Sequence, residues 1–154
     1  MPEVFILTDK SSVINNLKKI HHQVYDLQKG QVNSLLAPEY LDCEIETKKL
    51  IIKYPVLSWE LNMAGILHGG VISAMIDHSM ACTCVAFTGS WCPTTDLSVS
   101  FIKSAREGET LHAYGKITDI EDNRLYLECE LWNTDGSQLI AAGSAVYLFR
   151  KHLF

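Results

Sequence analysis

From Val71 to Phe87 the chain puts an apolar residue on nearly every side of a helix, with Val71, Ile72, Met75, Ile76, Met80, Val85 and Phe87 the largest. A helix with one polar face can lie on a surface, but one that is apolar all round must be covered. The rest of this chain therefore has to wrap that segment. Thr88-Gly89-Ser90 supplies its stop signal.

After the stop the period changes. Residues 94–103 (TTDLSVSFIK), 110–120 (TLHAYGKITDI), 124–133 (RLYLECELWN) and 138–150 (QLIAAGSAVYLFR) read as four long strands. Their connectors SAREGE, EDN and TDGS are short and polar, which makes the neighbours antiparallel, with Asn133-Thr134-Asp135-Gly136 as a hairpin turn. Before the apolar segment, 41–47 and 49–56 read as a further hairpin, and 57–70 as an irregular stretch. One buried helix and about six strands imply an α+β fold: a curved, mostly antiparallel sheet wrapped around a long central helix.

Residues 12–28 carry Val13, Leu17, Ile20, Val24 and Leu27 at spacings of four and three, one apolar helix face. Ser11 or Ser12 would cap its start and Gly30 would end it. Lys18, Lys19, His21, His22 and Gln23 fall mostly on the opposite face, so the His21-His22 pair reads as solvated surface. The 154 residues fit one domain, 1–154, with residues 1–38 as a helical extension. Apolar residues on the outer face of the sheet make pairing with a second copy the expectation.

A net charge of −5 and the absence of a Lys/Arg cluster argue against nucleic acid as a partner. Five cysteines, Cys43, Cys82, Cys84, Cys92 and Cys129, are odd in number and irregular in spacing. They suggest buried thiols in a reducing compartment rather than a disulfide framework. The acid-bearing start MPEVFILTDK does not read as a secretory signal. Asp77 and His78 are expected to interrupt any apolar span of membrane length, so a cytoplasmic protein with no membrane partner is expected.

Chemistry concentrates in Asn62, His68-Gly69-Gly70 and Asp77. Gly69 and Gly70 lie just ahead of the buried helix, where glycine lets a ligand approach the backbone. The first N–H groups of a helix lack internal partners and sit at its positive end, so a carbonyl placed there would have its developing oxyanion stabilised. Asp77, about two turns further on, is the one acid in an otherwise apolar helix. A buried carboxylate without compensation costs several kcal/mol. Its ordinary ionisation suits it to act as a nucleophile or as the base for a water. Taken singly, a Gly-Gly is a turn, a helical Asp a surface residue and a lone His structural; the joint spacing is what points to a site.

That spacing, Asn62, five residues, His68-Gly69-Gly70, then Asp77 on the helix, resembles the hotdog-fold thioesterases of the phenylacetate-degradation and 4-hydroxybenzoyl-CoA type, over roughly residues 40–150. The resemblance implies an acyl-CoA thioesterase that hydrolyses a thioester to free acid and coenzyme A. In it Asn62 and His68 orient the thioester and water, and the Gly69 N–H polarises the carbonyl beside Gly70. Asp77 reaches the site from a partner subunit. A Ser or Thr on the following strand often assists; Thr94 falls there, with Thr95 as the alternative register. A homodimer or a tetramer of two dimers is implied, and no metal or redox cofactor. Lys103 and Arg106 are the local counter-charges for coenzyme A phosphates, and Trp59, Met63 and Trp91 are candidates to line the acyl pocket. The rival readings are a non-catalytic acyl-CoA-binding hotdog module and a hotdog hydratase, whose pattern is not found around His68.

Overall fold

The computed structural model describes residues 3–150. The order of elements is α1 (Lys10–His22), α2 (Val32–Leu35), β1 (Glu39–Glu44), β2 (Lys49–Pro55), α3 (Gly69–Thr88), β3 (Thr94–Phe101), β4 (Thr110–Glu121), β5 (Arg124–Asn133) and β6 (Leu139–Leu148). The strands form one curved antiparallel sheet in the order β1-β2-β4-β5-β6-β3. This is the expected hotdog arrangement, with α3 as the central helix. The short SAREGE connector does not join antiparallel neighbours as expected: β3 pairs with β6 while β4 lies between β2 and β5, and the residues between them bond instead to Ile140, Leu67 and Val56.

What lets a 20-residue helix lie so close to a sheet is a set of small residues on the sheet's inner face. Ala113 and Gly115 on β4, and Ala141, Gly143 and Ala145 on β6, alternate inward at period two. A Cβ at Gly115 would stand 2.6 Å from Thr83 Oγ1 and 3.1 Å from the Ser79 carbonyl. One at Gly143 would stand 2.7 Å from Ile76 Cγ2 and 3.0 Å from the Ser98 carbonyl. Helix and strand backbones fill the space that side chains would take, as close packing demands. Bulk at either position would push α3 off its bed.

α3 begins at Gly69, so the two glycines are its first turn rather than a loop before it. It runs unbroken through Asp77 and His78 and ends at Gly89, which adopts φ +67° as a left-handed cap. By length and mean hydropathy α3 could cross a membrane, contrary to the expectation that Asp77-His78 would interrupt it, yet 67% of its most apolar window is buried within the fold.

α1 is capped by Asp9, whose carboxylate accepts from the Ser12 N–H, and not by Ser11 or Ser12. A carboxylate at that position also meets the helix's positive end. α1 continues as a π-helical segment, Gln23–Leu27, well short of Gly30. Its buried stripe is Val13, Asn16, Ile20 and Val24, whereas Leu27 is 62% exposed because the π turn rotates it out of the expected stripe. Asn16 earns its buried place by donating to the Ala86 carbonyl at 3.1 Å and, at 3.4 Å, to the Val85 carbonyl, which also accepts from the Gly89 N–H, in the last turn of α3. His21 and His22 are exposed, as expected. All five cysteines are buried and free.

One polar cluster lies inside the core. His78 Nδ1 is 2.7 Å from the Tyr54 hydroxyl, which also meets Ser79 Oγ at 2.9 Å, and His78 Nε2 is 3.3 Å from Cys82 Sγ. Both ring nitrogens are engaged whichever carries the proton. Burial lowers the His78 pKa to about 4, against a smaller opposing pull from Asp77. An unfolded His titrates near 6.5, so between those values only the unfolded chain takes up the proton. Stability is therefore full above pH about 6.5 and falls as pH drops toward 4, by up to roughly 3 kcal/mol at 1.4 kcal/mol per pKa unit. We expect urea unfolding midpoints to fall steeply over that interval in the parent and less steeply in His78→Gln. Parallel curves for the two proteins would remove His78 as the cause.

Candidate active site

Asp77 sits at the margin of α3, half-buried rather than engulfed, and its carboxylate is not unpaired. Oδ1 accepts from the Tyr147 hydroxyl at 2.7 Å and from Thr94 Oγ1 at 2.8 Å. Tyr147 also lies 2.9 Å from the Asp77 carbonyl, anchoring main chain and side chain together. Burial, and then the Asp77 charge, push the Tyr147 pKa upward, so the phenol stays a donor. With Oδ1 held twice, Oδ2 has no protein partner among the described residues. The carboxylate is thus fixed on one side and open on the other.

The register of β3 decides between the two threonines. Thr94 reaches Asp77, whereas Thr95 donates to the Val146 carbonyl at 3.0 Å, because the pairing of β3 with β6 slips between Thr94 and Asp96. Tyr147 was missed by sequence reasoning, although a signal existed. It follows Ala141, Gly143 and Ala145 in the inward alternation of β6, and a hydroxyl aimed into a core needs a partner there.

The other half of the constellation lies at the start of α3. His68 is the helix cap, and its Nδ1 accepts from the Gly70 N–H at 2.8 Å. That bond places the ring hydrogen of neutral His68 on Nε2, which is left as a donor on an exposed side chain. It also occupies the Gly70 amide, so Gly70 contributes space rather than a donor. A Cβ there would press on the imidazole at 3.1 Å. The Gly69 N–H, in contrast, meets no acceptor among the described residues. It stands at the positive end of a 20-residue helix, as an oxyanion donor would.

Asn62 is partly committed to its own loop. Its Oδ1 accepts from the Ala64 N–H at 2.9 Å, and its main chain bonds Ile66 and Gly65, which leaves the amide NH₂ as its outward donor. Glu60, which sequence reading passed over, organises the same loop. It is fully buried, accepts from the Leu57 N–H through Oε2 and receives the His68 N–H on its carbonyl. Its Oε1 has no partner among the described residues, and burial raises its pKa, the state of a carboxyl that is easier to keep neutral.

Lys103 and Arg106 are exposed and belong with the Gly69 end rather than the Asp77 end. Phe101, at the end of β3, lies against Gly69, and the Leu67 N–H donates to the Ala105 carbonyl at 2.9 Å. These contacts hold the 102–106 loop beside His68. Trp59 and Met63 project from the 57–67 loop, 51% and 108% exposed, while Trp91 (44% exposed) lies past the far end of α3.

One chain does not unite the two halves. Gly69 and Asp77 are eight residues apart on one straight helix, about 12 Å along its axis, whereas an oxyanion donor and a base must both reach a single carbonyl centre at hydrogen-bond range.

Comparison with known proteins agrees with this architecture. The PaaI protein of the E. coli phenylacetic acid degradation operon superposes with TM-score 0.79 at 14% identity, over 94% of this chain and 97% of that one. A phenylacetic acid degradation-related protein from Ralstonia eutropha JMP134, described as a putative thioesterase, gives 0.69 at 25% identity, over 76% and 88%. The smu.793 protein of Streptococcus mutans UA159, solved bound to acetyl CoA, gives 0.67 at 21% identity, over 73% and 88%. No curated protein matches the chain. The sequence model described as Thioesterase superfamily matches residues 64–140, which is half of the chain and includes His68, Gly69, Asp77, Thr94, Lys103 and Arg106. This chain belongs to the thioesterase superfamily.

Proposed function

We propose that the protein hydrolyses acyl-CoA thioesters, in sites each built from two copies of the chain. The observation that carries this reading is the state of Asp77, with Oδ1 gripped by Tyr147 and Thr94 and Oδ2 open. A carboxylate held that way loses little freedom when it acts. The free Gly69 N–H supplies the complementary element, a donor for the oxygen that becomes negative.

β3 explains how two copies complete a site. It is an edge strand, with Thr94 at one end touching Asp77 and Phe101 at the other touching Gly69. Antiparallel pairing of β3 with β3 of a second copy lays one chain's Gly69 end against the other's Asp77 end. Both sites of the dimer form at once, as two-fold symmetry requires. A tetramer of two such dimers is compatible and not needed.

In each site the thioester carbonyl oxygen accepts from Gly69, with His68 Nε2–H and the Asn62 amide available to the substrate or the water. Asp77 of the partner subunit either takes a proton from an attacking water or attacks the carbonyl carbon itself. On the first route the water's oxygen joins the acyl carbon as the C–S bond breaks. On the second the C–S bond breaks to leave an acyl-Asp77 anhydride, which a water then hydrolyses to the free acid and the carboxylate. On both, coenzyme A leaves as the thiol. No metal or redox group is required for this chemistry. The acetyl-CoA-bound Streptococcus mutans relative supports coenzyme A esters as the substrate class.

Thiol release from a panel of acyl-CoAs tests the reading directly. No release from any member, with binding retained, would favour an acyl-CoA-binding module instead. We expect Asp77→Asn to lower kcat by roughly 10²- to 10⁴-fold, the usual worth of a general base, without unfolding the protein. Turnover within a few-fold of the parent would take Asp77 out of the mechanism.

The shared site predicts complementation. Gly69→Val and Asp77→Asn homodimers should each be nearly inactive, whereas co-expressed mixed dimers regain one site with both elements native. No recovery in mixed dimers isolated with two affinity tags would place both elements of a site in one chain.

Lys103 and Arg106 are proposed to hold coenzyme A phosphates. As exposed charges they bind ground state and transition state alike. Lys103→Ala with Arg106→Ala should raise KM several-fold at nearly constant kcat, an effect that shrinks with added salt. An unchanged KM at low salt would put the nucleotide elsewhere.

A further inference from the structure

α1 uses two of its faces. Val13, Asn16, Ile20 and Val24 are buried, whereas Ile14, Leu17, Lys18, His21 and Tyr25 form one wall of a groove. The opposite wall is β1 with the residues just before it, 37–43. The cavity measures about 670 Å³, well within the roughly 300–1,000 Å³ of small-molecule sites. From Ile14 to Tyr25 it follows the helix for about 16 Å, so it is long rather than round. Its walls are largely apolar, and Ile14 and Leu41 are 37% and 42% exposed within it.

The π segment contributes to the shape. Tyr25 lies in it, donates its hydroxyl to the Pro38 carbonyl at 2.5 Å and packs its ring 4.8 Å from that of His21. This ties the helix to the chain entering β1. Single π turns within helices occur frequently at functional sites.

Charge then selects the occupant. The groove's two carboxylates are already matched: Glu39 lies 2.6 Å from Lys53 and Asp42 3.2 Å from Lys10. Lys18 has no ion-pair partner among the described residues, so the groove keeps one uncompensated positive charge on an apolar wall. An added peptide strand is disfavoured, because β1 is bulged between Tyr40 and Asp42 and carries acids at Glu39, Asp42 and Glu44, devices that blunt a sheet edge.

We propose that this groove binds an amphipathic carboxylate, with a single apolar chain laid between α1 and β1 and its carboxyl group at Lys18. The site is separate from the one proposed for hydrolysis, since β1 and β3 are opposite edges of the sheet. It stands whether or not thioesters are cleaved.

The test is photolabelling of the full chain with a diazirine-bearing dodecanoate, followed by peptide mapping. Label is expected on peptides covering 14–25 and 37–43, competed by dodecanoate and not by dodecylamine. Lys18 is exposed, so Lys18→Glu leaves the fold intact and should cut groove labelling by about tenfold, the loss of one charge-assisted contact. Thioester turnover, followed in parallel by thiol release, should be unchanged in that variant. The proposal is overturned if label falls only on 57–69 and α3, if Lys18→Glu labels like the parent, or if dodecylamine competes equally. An inactive parent that still labels the groove would count against the hydrolytic reading alone.

Discussion

The approach of α3 to the sheet is the constraint on which the rest of the molecule depends. Inward positions of β4 and β6 are occupied by Ala113, Gly115, Ala141, Gly143 and Ala145, and at the two glycines a backbone carbonyl stands 3.1 and 3.0 Å from where a Cβ would be. This closeness allows Tyr147, on the same inward row of β6, to reach across to Asp77 from below. A helix lifted by one methyl group would leave that phenol short of both the carbonyl and the carboxylate it holds. Packing and chemistry are therefore set by the same few small residues.

β3 links the two halves of the proposed site. Its first residue restrains the acid and its last covers the glycine that offers the amide, so a single strand positions both while the helix keeps them about 12 Å apart. A lone chain carries each half in finished form and joins neither to its complement. Under the proposed reading, activity and assembly become one property, and a change along the β3 edge would affect both. The loop built by Glu60 and Asn62 supports the glycine half, because Glu60 holds the His68 main chain and His68 holds the first turn of the helix.

The strands, the central helix and the β4-β5 and β5-β6 pairings were legible in the sequence because period two, all-round apolarity and tight turns survive tertiary detail. The short SAREGE connector misled, since β3 pairs with β6 and not with β4. Asp77 and the glycine turn stood out for another reason: their chemistry is out of place in the segments that carry them, whereas Thr94, an ordinary strand residue by type, was reached only through the family resemblance. The misreadings share a cause. Leu27 was placed on the apolar stripe and Asn16 was not, yet Asn16 is buried against the Ala86 carbonyl and Leu27 is turned outward by a π segment that no periodicity announces. Asp77 looked like an unpaired buried charge because its partner, Tyr147, lies 70 residues away. Gly70 was expected to let substrate approach the backbone, and the His68 ring that takes its amide shows why it offers space and no free N–H. Each of these depends on where a distant group points, which spacing does not encode.

Adjacent residues of α3 show how one helix serves both core and site. Successive side chains on a helix diverge by about 100°, so Asp77 and His78 cannot share surroundings. Asp77 falls at the margin, half-exposed, where its carboxylate is met by two hydroxyl donors. His78 falls inside, where burial keeps it neutral and Tyr54 and Cys82 take up its two nitrogens. Moving the acid one position along the helix would bury the carboxylate among those same groups at a cost of several kcal/mol. Only the rim of the buried helix tolerates a permanent charge, and the rim is also where a ligand arriving along the edge strand can meet it.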